Sequence, residues 1–489
     1  MAAAFLVIKS AGMLFRVFLA GRLGAEGLGL YQLVMSVYLV FAATVSSGVC
    51  LCASRLFTEL SARGKPAQAR YAAEYCMKLS FFIGLAGGAL MLSCADAAAS
   101  YLLHDERAAP SLRLLAPGLP FLAVSAAVRG YFLARRSTLQ PSGQQLIEQL
   151  IETGGFALVM ALFRPRDITQ TCCIAAASAA SAELASFVYS LLCYRADARK
   201  TGAGREKVFR IGRTALPVLL PVSANACIRS GLSAAENALI PSGLKKHGLD
   251  VSEALSQYGI TSGMVMPVIT FPSVLILPFS TLMITEAADA RARGDTAAIK
   301  RMTEKAVSAV LRYSLPVTVM LIFFADPLCM ALFGSASAGK YLAVLAPVVP
   351  FMYLDCAADA ILKGLDEQLS YFVFNTIDSV IRVALTFILV PVYGITGASA
   401  VIIISELLNT AMSLFRLVQV TSFRLSIVRS VLLPAVTAAA ACLFAQALPL
   451  TGLSTADLII RLSLCCIFCA GAYMLSLKRG GYGILRRRA

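Results

Sequence analysis

The 489 residues are 58% hydrophobic and only 14% charged, with a mean hydropathy of +0.77. Soluble domains carry about 25% charged residues, so this chain has too little polar surface to face water, and soluble classes are excluded. The formal charge of +16 would suggest nucleic acid in a soluble protein, but here the basic residues sit in gaps between apolar runs and read as membrane topology.

Apolar runs close to the roughly 20 residues needed to cross a bilayer recur along the whole chain. Fourteen are expected, at 2–21, 29–53, 76–95, 111–134, 144–163, 171–194, 212–240, 257–283, 306–325, 341–362, 371–392, 395–417, 429–449 and 456–476. An even number puts both termini on one side. Lys9 and Arg16 interrupt the first run and no charged region precedes it, so it does not read as a cleavable signal. The gaps after even-numbered spans, together with the tail, hold 27 Lys and Arg when Arg213, Arg416 and Arg429 at the span ends are counted with them; the opposite gaps hold 8, counting Arg113. This asymmetry places the richer set, and both termini, in the cytoplasm.

The segment Leu115-Ala116-Pro117-Gly118-Leu119-Pro120-Phe121 of span 4 returns as Leu345-Ala346-Pro347-Val348-Val349-Pro350-Phe351 in span 10, an offset of 230. The same offset carries Gly29 onto Gly259, Arg63-Gly64 onto Arg293-Gly294 and Glu148 onto Asp378. A constant offset from span 2 to span 5 indicates two homologous lobes. Six spans separate the mates, so the repeat is parallel, about an axis along the membrane normal. The expected fold is therefore all-α: an integral membrane protein of about 14 helices in two six-helix lobes around a central cavity, plus two C-terminal helices. The lobes are read as 1–194 and 211–418, joined by a basic linker at 195–210. Spans 13 and 14 (429–476) and a basic tail (477–489) have no mate.

Ionisable side chains at mid-bilayer cost about 2.5–3.5 kcal/mol on insertion scales and usually face a cavity. Arg16, Arg129, Glu148, Glu152, Glu183, Arg229, Glu236, Asp355, Asp359, Asp378, Arg382 and Glu406 all fall inside spans. Asp378 and Arg382, four apart on one helix face, read as a structural pair. Arg16, Arg129 and Arg229, with Arg22 and Arg55 near span ends, would line a cationic cavity suited to an anion, since guanidinium forks match phosphate oxygens. Taken individually, Arg22 and Arg55 read as residues snorkelling to head groups.

Other features are read as structural. His104 and His247 lie in polar gaps, which excludes a histidine metal site or triad. The fourteen cysteines lie almost wholly in apolar runs and read as small packing residues. Gly334 to Lys340 imitates a phosphate loop but places Tyr341 where the hydroxyl ligand belongs, and Gly27-Leu28-Gly29 lacks a third glycine and reads as a turn opening span 2.

The run Gly24-Ala25-Glu26-Gly27-Leu28-Gly29-Leu30-Tyr31-Gln32-Leu33, then Arg129-Gly130-Tyr131-Phe132, Ile147-Glu148-Gln149, Gly263-Met264 with Pro267 and Phe271-Pro272, and Tyr393-Gly394-Ile395-Thr396-Gly397-Ala398 resemble one known group. It is the polysaccharide-transport branch of the multidrug/oligosaccharidyl-lipid/polysaccharide exporter superfamily, and within it the stage V sporulation protein B-like flippases. The resemblance runs from about Gly24 to Glu406. It implies alternating access and movement of undecaprenyl-pyrophosphate-linked sugars, lipid II first among them, across the bacterial cytoplasmic membrane. It matches Arg16, Arg22 and Arg55 to pyrophosphate-binding arginines of the first two helices; span 8 offers none, leaving Arg229 of span 7 as a substitute. It also implies a monovalent coupling cation, Na+ or H+, held by Glu236, Asn237, Asn375 and Asp378, and no other cofactor. Spans 13 and 14 would offer a groove for the polyprenyl tail, and a polar, basic leader longer than Met1 to Phe5 is expected. The implied partners are the bilayer and the lipid-linked glycan, with no nucleic acid. Two rival readings are a cation-coupled multidrug exporter, which often has an acid in span 1 where this chain has Arg16, and a membrane glycosyltransferase or ligase. The latter needs a large catalytic loop, and no gap exceeds about 20 residues. The chain is thus not expected to be an enzyme; a non-transporting regulatory paralogue is the remaining alternative.

Overall fold

The computed structural model describes residues 2–137, 139–163, 165, 167–201, 206, 211–447 and 455–479. Half of the linker (202–205 and 207–210) and the basic tail beyond Arg479 lie outside the described residues. Among the described residues there is no strand, and ten helices are long and apolar enough to cross a membrane. The all-α membrane fold expected from the sequence is the one found.

Helix α1 (Ala2–Ala62) breaks at Gly24, where φ is 68° and ψ is −174°, a backbone that side chains with a Cβ avoid. Then follow α2 (Pro66–Ala97), α3 (Ala109–Leu115), α4 (Leu119–Ala134), α5 (Leu139–Leu162), α6 (Ile168–Thr201) and α7 (Ile211–Lys246). The segment predicted as one span at 257–283 is built of α8 (Val251–Tyr258), a π turn, α9 (Met266–Thr270), a 3-10 turn and α10 (Ile276–Ala292). Pro267, Pro272 and Pro278 lack the amide hydrogens that would keep this stretch regular. Two tyrosines supply side-chain donors here: Tyr313 donates to the Pro272 carbonyl at 2.8 Å, and the Tyr353 hydroxyl at 3.0 Å to the Ile269 carbonyl, which has Pro272 three residues on. Such rescue is needed because the bilayer offers no water to a freed carbonyl. The chain continues through α11 (Thr296–Phe323), α12 (Ala325–Phe333), α13 (Ala336–Leu345), α14 (Val349–Gly364), α15 (Gln368–Thr421), α16 (Leu433–Ala447) and α17 (Thr455–Arg479). Helix α15 breaks at Gly394, and its two arms are tied by Arg416 to Glu367 at 2.8 Å and Arg382 to Glu406 at 3.0 Å.

The chain forms two compact units, one of residues 3–259 with 386–394, the other of 260–385 with 395–489. Helix α7 groups with the first, where Ala215 and Leu219 join Val49, Leu56, Ala72, Cys76, Val128 and Tyr131 in one buried cluster. The proposed linker is helical over its first seven residues, which continue α6 to Thr201. In the second unit, Cys442 and Ala445 of α16 and Cys465 of α17 bury against Phe324. Buried cysteines such as Cys76, Cys442 and Cys465 thus serve as small packing residues, while Cys94, Cys227 and Cys466 are exposed. Large apolar side chains such as Leu14, Phe82, Leu158, Phe415 and Ile467 are exposed, the surface a bilayer requires.

The 230-residue offset reappears in the backbone. Left-handed residues Gly64, His104 and Arg136 have counterparts at Gly294, Gly334 and Asp366. The two Ala-Pro steps make matching 3-10 turns at Ala116–Gly118 and Ala346–Val348. Asp105 and Ser335 each cap the helix that follows. Gly334 and Ser335 thus end one helix and start the next, which accounts for the imitation phosphate loop. Gly27 and Gly29, in contrast, do not form the expected turn: the helix runs through them, and the break lies at Gly24. Gly29 is needed for close approach, because a Cβ there would overlap the Leu255 carbonyl, and one on its repeat mate Gly259 would overlap the Ala25 carbonyl.

Replacing Gly259 by Ala should therefore overpack α1 against α8 at about 1–3 kcal/mol, read as a lowered midpoint in detergent thermal unfolding. Gly231→Ala, where a Cβ meets nothing within 4 Å, is the matched control and should leave the midpoint unchanged or raised. At the head of α15 the Ser370 hydroxyl and the Arg416 guanidinium hold the Glu367 carboxyl below its usual range. Its stabilising contribution is complete above that range and is lost as pH falls through it. Glu367→Gln should flatten the acid limb of stability against pH, by no more than about 1 kcal/mol for so exposed a pair.

Candidate functional site

In the first unit, α5 places Glu148 and Glu152 four residues apart, on one face turned to α6 and its Glu183. Glu183 is 8% exposed; the Tyr38 hydroxyl donates to its Oε1 at 3.5 Å, while Oε2 meets no partner among the described residues. Arg129 of α4 stands within electrostatic range of Glu148 and Glu183 and beside the Cys50 thiol. Arg16 of α1 stands near Glu152, which the Tyr31 hydroxyl also faces. Among the described residues neither arginine closes an ion pair under 4 Å.

The other predicted arginines do not join this group. Arg22 is exposed, 5.6 Å from the centre of the Phe18 ring. Arg55 is exposed and bonded to Glu59 at 2.9 Å, one turn away. Arg229 is exposed on α7. A cavity of about 260 Å3 in this unit is walled by apolar side chains, Val37, Phe41, Met91, Leu112 and Ala234 among them, and none of the five arginines lines it.

In the second unit the acids are engaged. Arg382 bridges Asp378 at 3.4 Å and Glu406 at 3.0 Å, so the pair expected from spacing is a triad spanning both arms of α15. Ser405 donates to Asp378 and accepts from Arg382. Beside it Asp355 accepts from Asn409 Nδ2 at 2.9 Å and from Ser413 at 2.8 Å. Of the proposed ion ligands, Asn375 donates its amide to the Tyr371 carbonyl at 3.0 Å and Asp378 is held by the triad, while Glu236 and Asn237 are half-buried on α7. Sequence spacing missed Ser405, Asn409 and Ser413, which are ordinary small polar residues in an apolar run. It also missed a clasp built from gap residues: Arg107 binds Glu26 and Asp105 at 2.8 Å each, and Ser252 donates to Glu26 at 2.6 Å.

Residues 1–152 match the family model MatE. Over 417 residues the chain is 25% identical to "Stage V sporulation protein B" of Bacillus subtilis (strain 168), covering 83% of this chain and 80% of that protein. It is 21% identical to "Sporulation protein YkvU" of the same organism over 76% of this chain and 82% of that one. The fold is that of solved transporters. "Lipid II flippase MurJ" superposes with a TM-score of 0.73 over 98% of each chain at 14% identity. An inward-facing MATE multidrug transporter of the MOP superfamily gives 0.68 over 86% of this chain and 99% of that one, also at 14% identity. The resemblance read from the sequence is thereby shown, and the chain is a multi-pass membrane protein.

Replacing Arg382 by Met should leave Asp378 and Glu406 without their counter-charge, at a cost of about 3–5 kcal/mol in detergent unfolding. The triple substitution Arg382→Met, Asp378→Asn, Glu406→Gln should recover most of that loss. A single variant as stable as wild type would show the triad to be dispensable.

Proposed function

We propose that the chain is a flippase carrying polyprenyl-pyrophosphate-linked sugars, lipid II or a related polysaccharide precursor, across the bacterial cytoplasmic membrane. The observation that carries this reading is the 25% identity to a sporulation protein over 83% of the chain. It is supported by coverage: the MurJ fold accounts for 98% of the chain and the MATE fold for 86%, a difference matching in size the segment that holds spans 13 and 14. The work would proceed by alternating access between lobes 1–194 and 211–418, with both termini cytoplasmic as the charge asymmetry suggests. Arg16 and Arg129, without ion pairs among the described residues, are the guanidiniums best placed to take a phosphate; Arg22, Arg55 and Arg229 would guide it from the surface. A monovalent cation, Na+ or H+, would couple the cycle, with Glu236 and Asn237 as candidate ligands in the first unit and Asn375 and Asp378 in the second, where Asp378 would first have to give up Ser405 or Arg382.

The second reading, a cation-coupled drug exporter, has the MatE match over residues 1–152 in its favour. Span 1 speaks against it, offering Arg16 and no Asp or Glu. Catalysis finds no support in the relatives, whose names are those of sporulation proteins, a flippase and transporters.

Reconstitution in vesicles with labelled lipid II should expose the label in the opposite leaflet. Arg16→Ala and Arg129→Ala should each slow this by at least about tenfold, as loss of one charge-assisted bond predicts. Equal exposure for wild type and both variants would remove the basis for an arginine-held head group, and cation-dependent export of a cationic dye would favour the second reading.

A further inference from the structure

Helix α5 carries Gln140, Gln144, Glu148 and Glu152 at four-residue intervals, a polar stripe on one face of a membrane helix. Helix α6 packs along it and answers with Glu183, Ser186 and Ser190, the last accepting from Gln140 Nε2 at 3.4 Å. Oε1 of Gln140, Oε1 of Gln144, Oγ of Ser186 and Oε2 of Glu183 are all buried and meet no partner among the described residues. A seam of hydrogen-bonding groups therefore leads from the start of α5 to three carboxylates at mid-helix.

The groups facing those carboxylates come from every neighbouring helix. Glu148 lies within electrostatic range of Arg129, Glu152, Glu183 and Tyr38; Glu152 of Glu148, Glu183, Arg16 and Tyr31; Glu183 of Glu148, Glu152, Arg129 and Tyr38. The Cys50 thiol stands by Arg129 and the Cys172 thiol by Tyr31. With every acid ionised, three carboxylates oppose two guanidiniums and the cluster is net negative, so it repels an anion. With two acids protonated it is net positive and attracts one. In a medium of low dielectric that sign decides binding.

We propose that a diphosphate diester binds at Arg16 and Arg129 together with proton uptake by Glu148, Glu152 and Glu183, so that these acids decide when the guanidiniums accept the anion. The inference rests on the flippase reading and deepens it by assigning the control of that site. Each acid gains its proton from water along the Gln140–Gln144 seam and returns it when the anion leaves; no bond of the diphosphate forms or breaks. The glutamates are positioning residues, acting on the anion through the arginines.

Calorimetry on the purified full-length protein tests this with two diphosphate diesters, farnesyl-diphospho-N-acetylglucosamine as the lipid and UDP-N-acetylglucosamine as a soluble source of the same chemistry. Neither carries a proton that titrates near neutrality, so protons counted from the buffer dependence of the heat belong to the protein. The expected result is uptake of at least about one proton per anion, with affinity falling about tenfold per pH unit for each linked proton from about pH 6 to about pH 8. E148Q/E152Q should bind more tightly near pH 8 with a shallower slope, and R129Q should lose binding in either background. Binding of the lipid alone, or of both diesters, supports the proposal and tells the membrane source from the free one. Buffer-independent heats with pH-flat affinity in wild type, a measurement needing no variant, overturn the linkage and leave the flippase reading standing. Affinity that follows sodium at fixed pH without proton uptake also overturns it. No binding of either diester at any pH overturns the flippase reading and the linkage together.

Discussion

An ionised side chain in hydrocarbon must find a counter-charge, a proton or water, and the internal architecture of both units follows from how that demand is met. The second unit meets it locally. Arg382 neutralises Asp378 and Glu406, and Ser405 closes the remaining gap between Asp378 and the guanidinium. Four groups on two arms of one broken helix thereby act as a staple, because removing any charge strands another in a low dielectric. The break at Gly394 makes this geometry available: an unbroken helix of the same length would carry residues 382 and 406 far apart along its axis.

The same demand governs the backbone. The prolines of the 257–283 region make its helix irregular, and Tyr313 of α11 and Tyr353 of α14 donate to the Pro272 and Ile269 carbonyls there. Their rings stack 6.2 Å apart, so one packing contact holds both donors in place. Irregular helix is thus tolerated where neighbouring helices supply hydrogen bonds, and the π and 3-10 turns between α8 and α10 lie in such surroundings.

Much of this was legible in the residue order. Hydropathy alone yields the all-α membrane fold, and ten helices among the described residues are long and apolar enough to cross a bilayer. The 230-residue offset has a structural cause as well as a textual one: Gly64 and Gly294, or Ala116 and Ala346, occupy the same kind of turn. Turn chemistry was harder to read. Gly27 and Gly29 look like punctuation, yet one of them is small because Leu255 crosses against it, a contact between segments more than 200 residues apart. The Arg107–Glu26–Ser252 clasp escaped notice for a similar reason, its members lying in three separate polar gaps. Local spacing reveals a pair such as Asp378 and Arg382. It cannot reveal that Ser405, Asn409 and Ser413 are polar because carboxylates of other segments need donors.

The first unit treats its charges differently, and the contrast carries functional meaning. Pairing Arg16 and Arg129 within ion-pair distance was chemically open, since Glu148, Glu152 and Glu183 are all near enough to be felt. Had those pairs closed, the unit would have gained a staple like the Arg382 triad, and an incoming phosphate would have had to displace a carboxylate in fixed bidentate geometry. Leaving the charges near but unbonded sacrifices that rigidity. A group held this way answers to small changes in the net charge around it, because no short contact has to be broken first. An arginine–acid cluster kept open in one unit, while a closely similar set is locked in the other, is the arrangement that the proposed anion site requires.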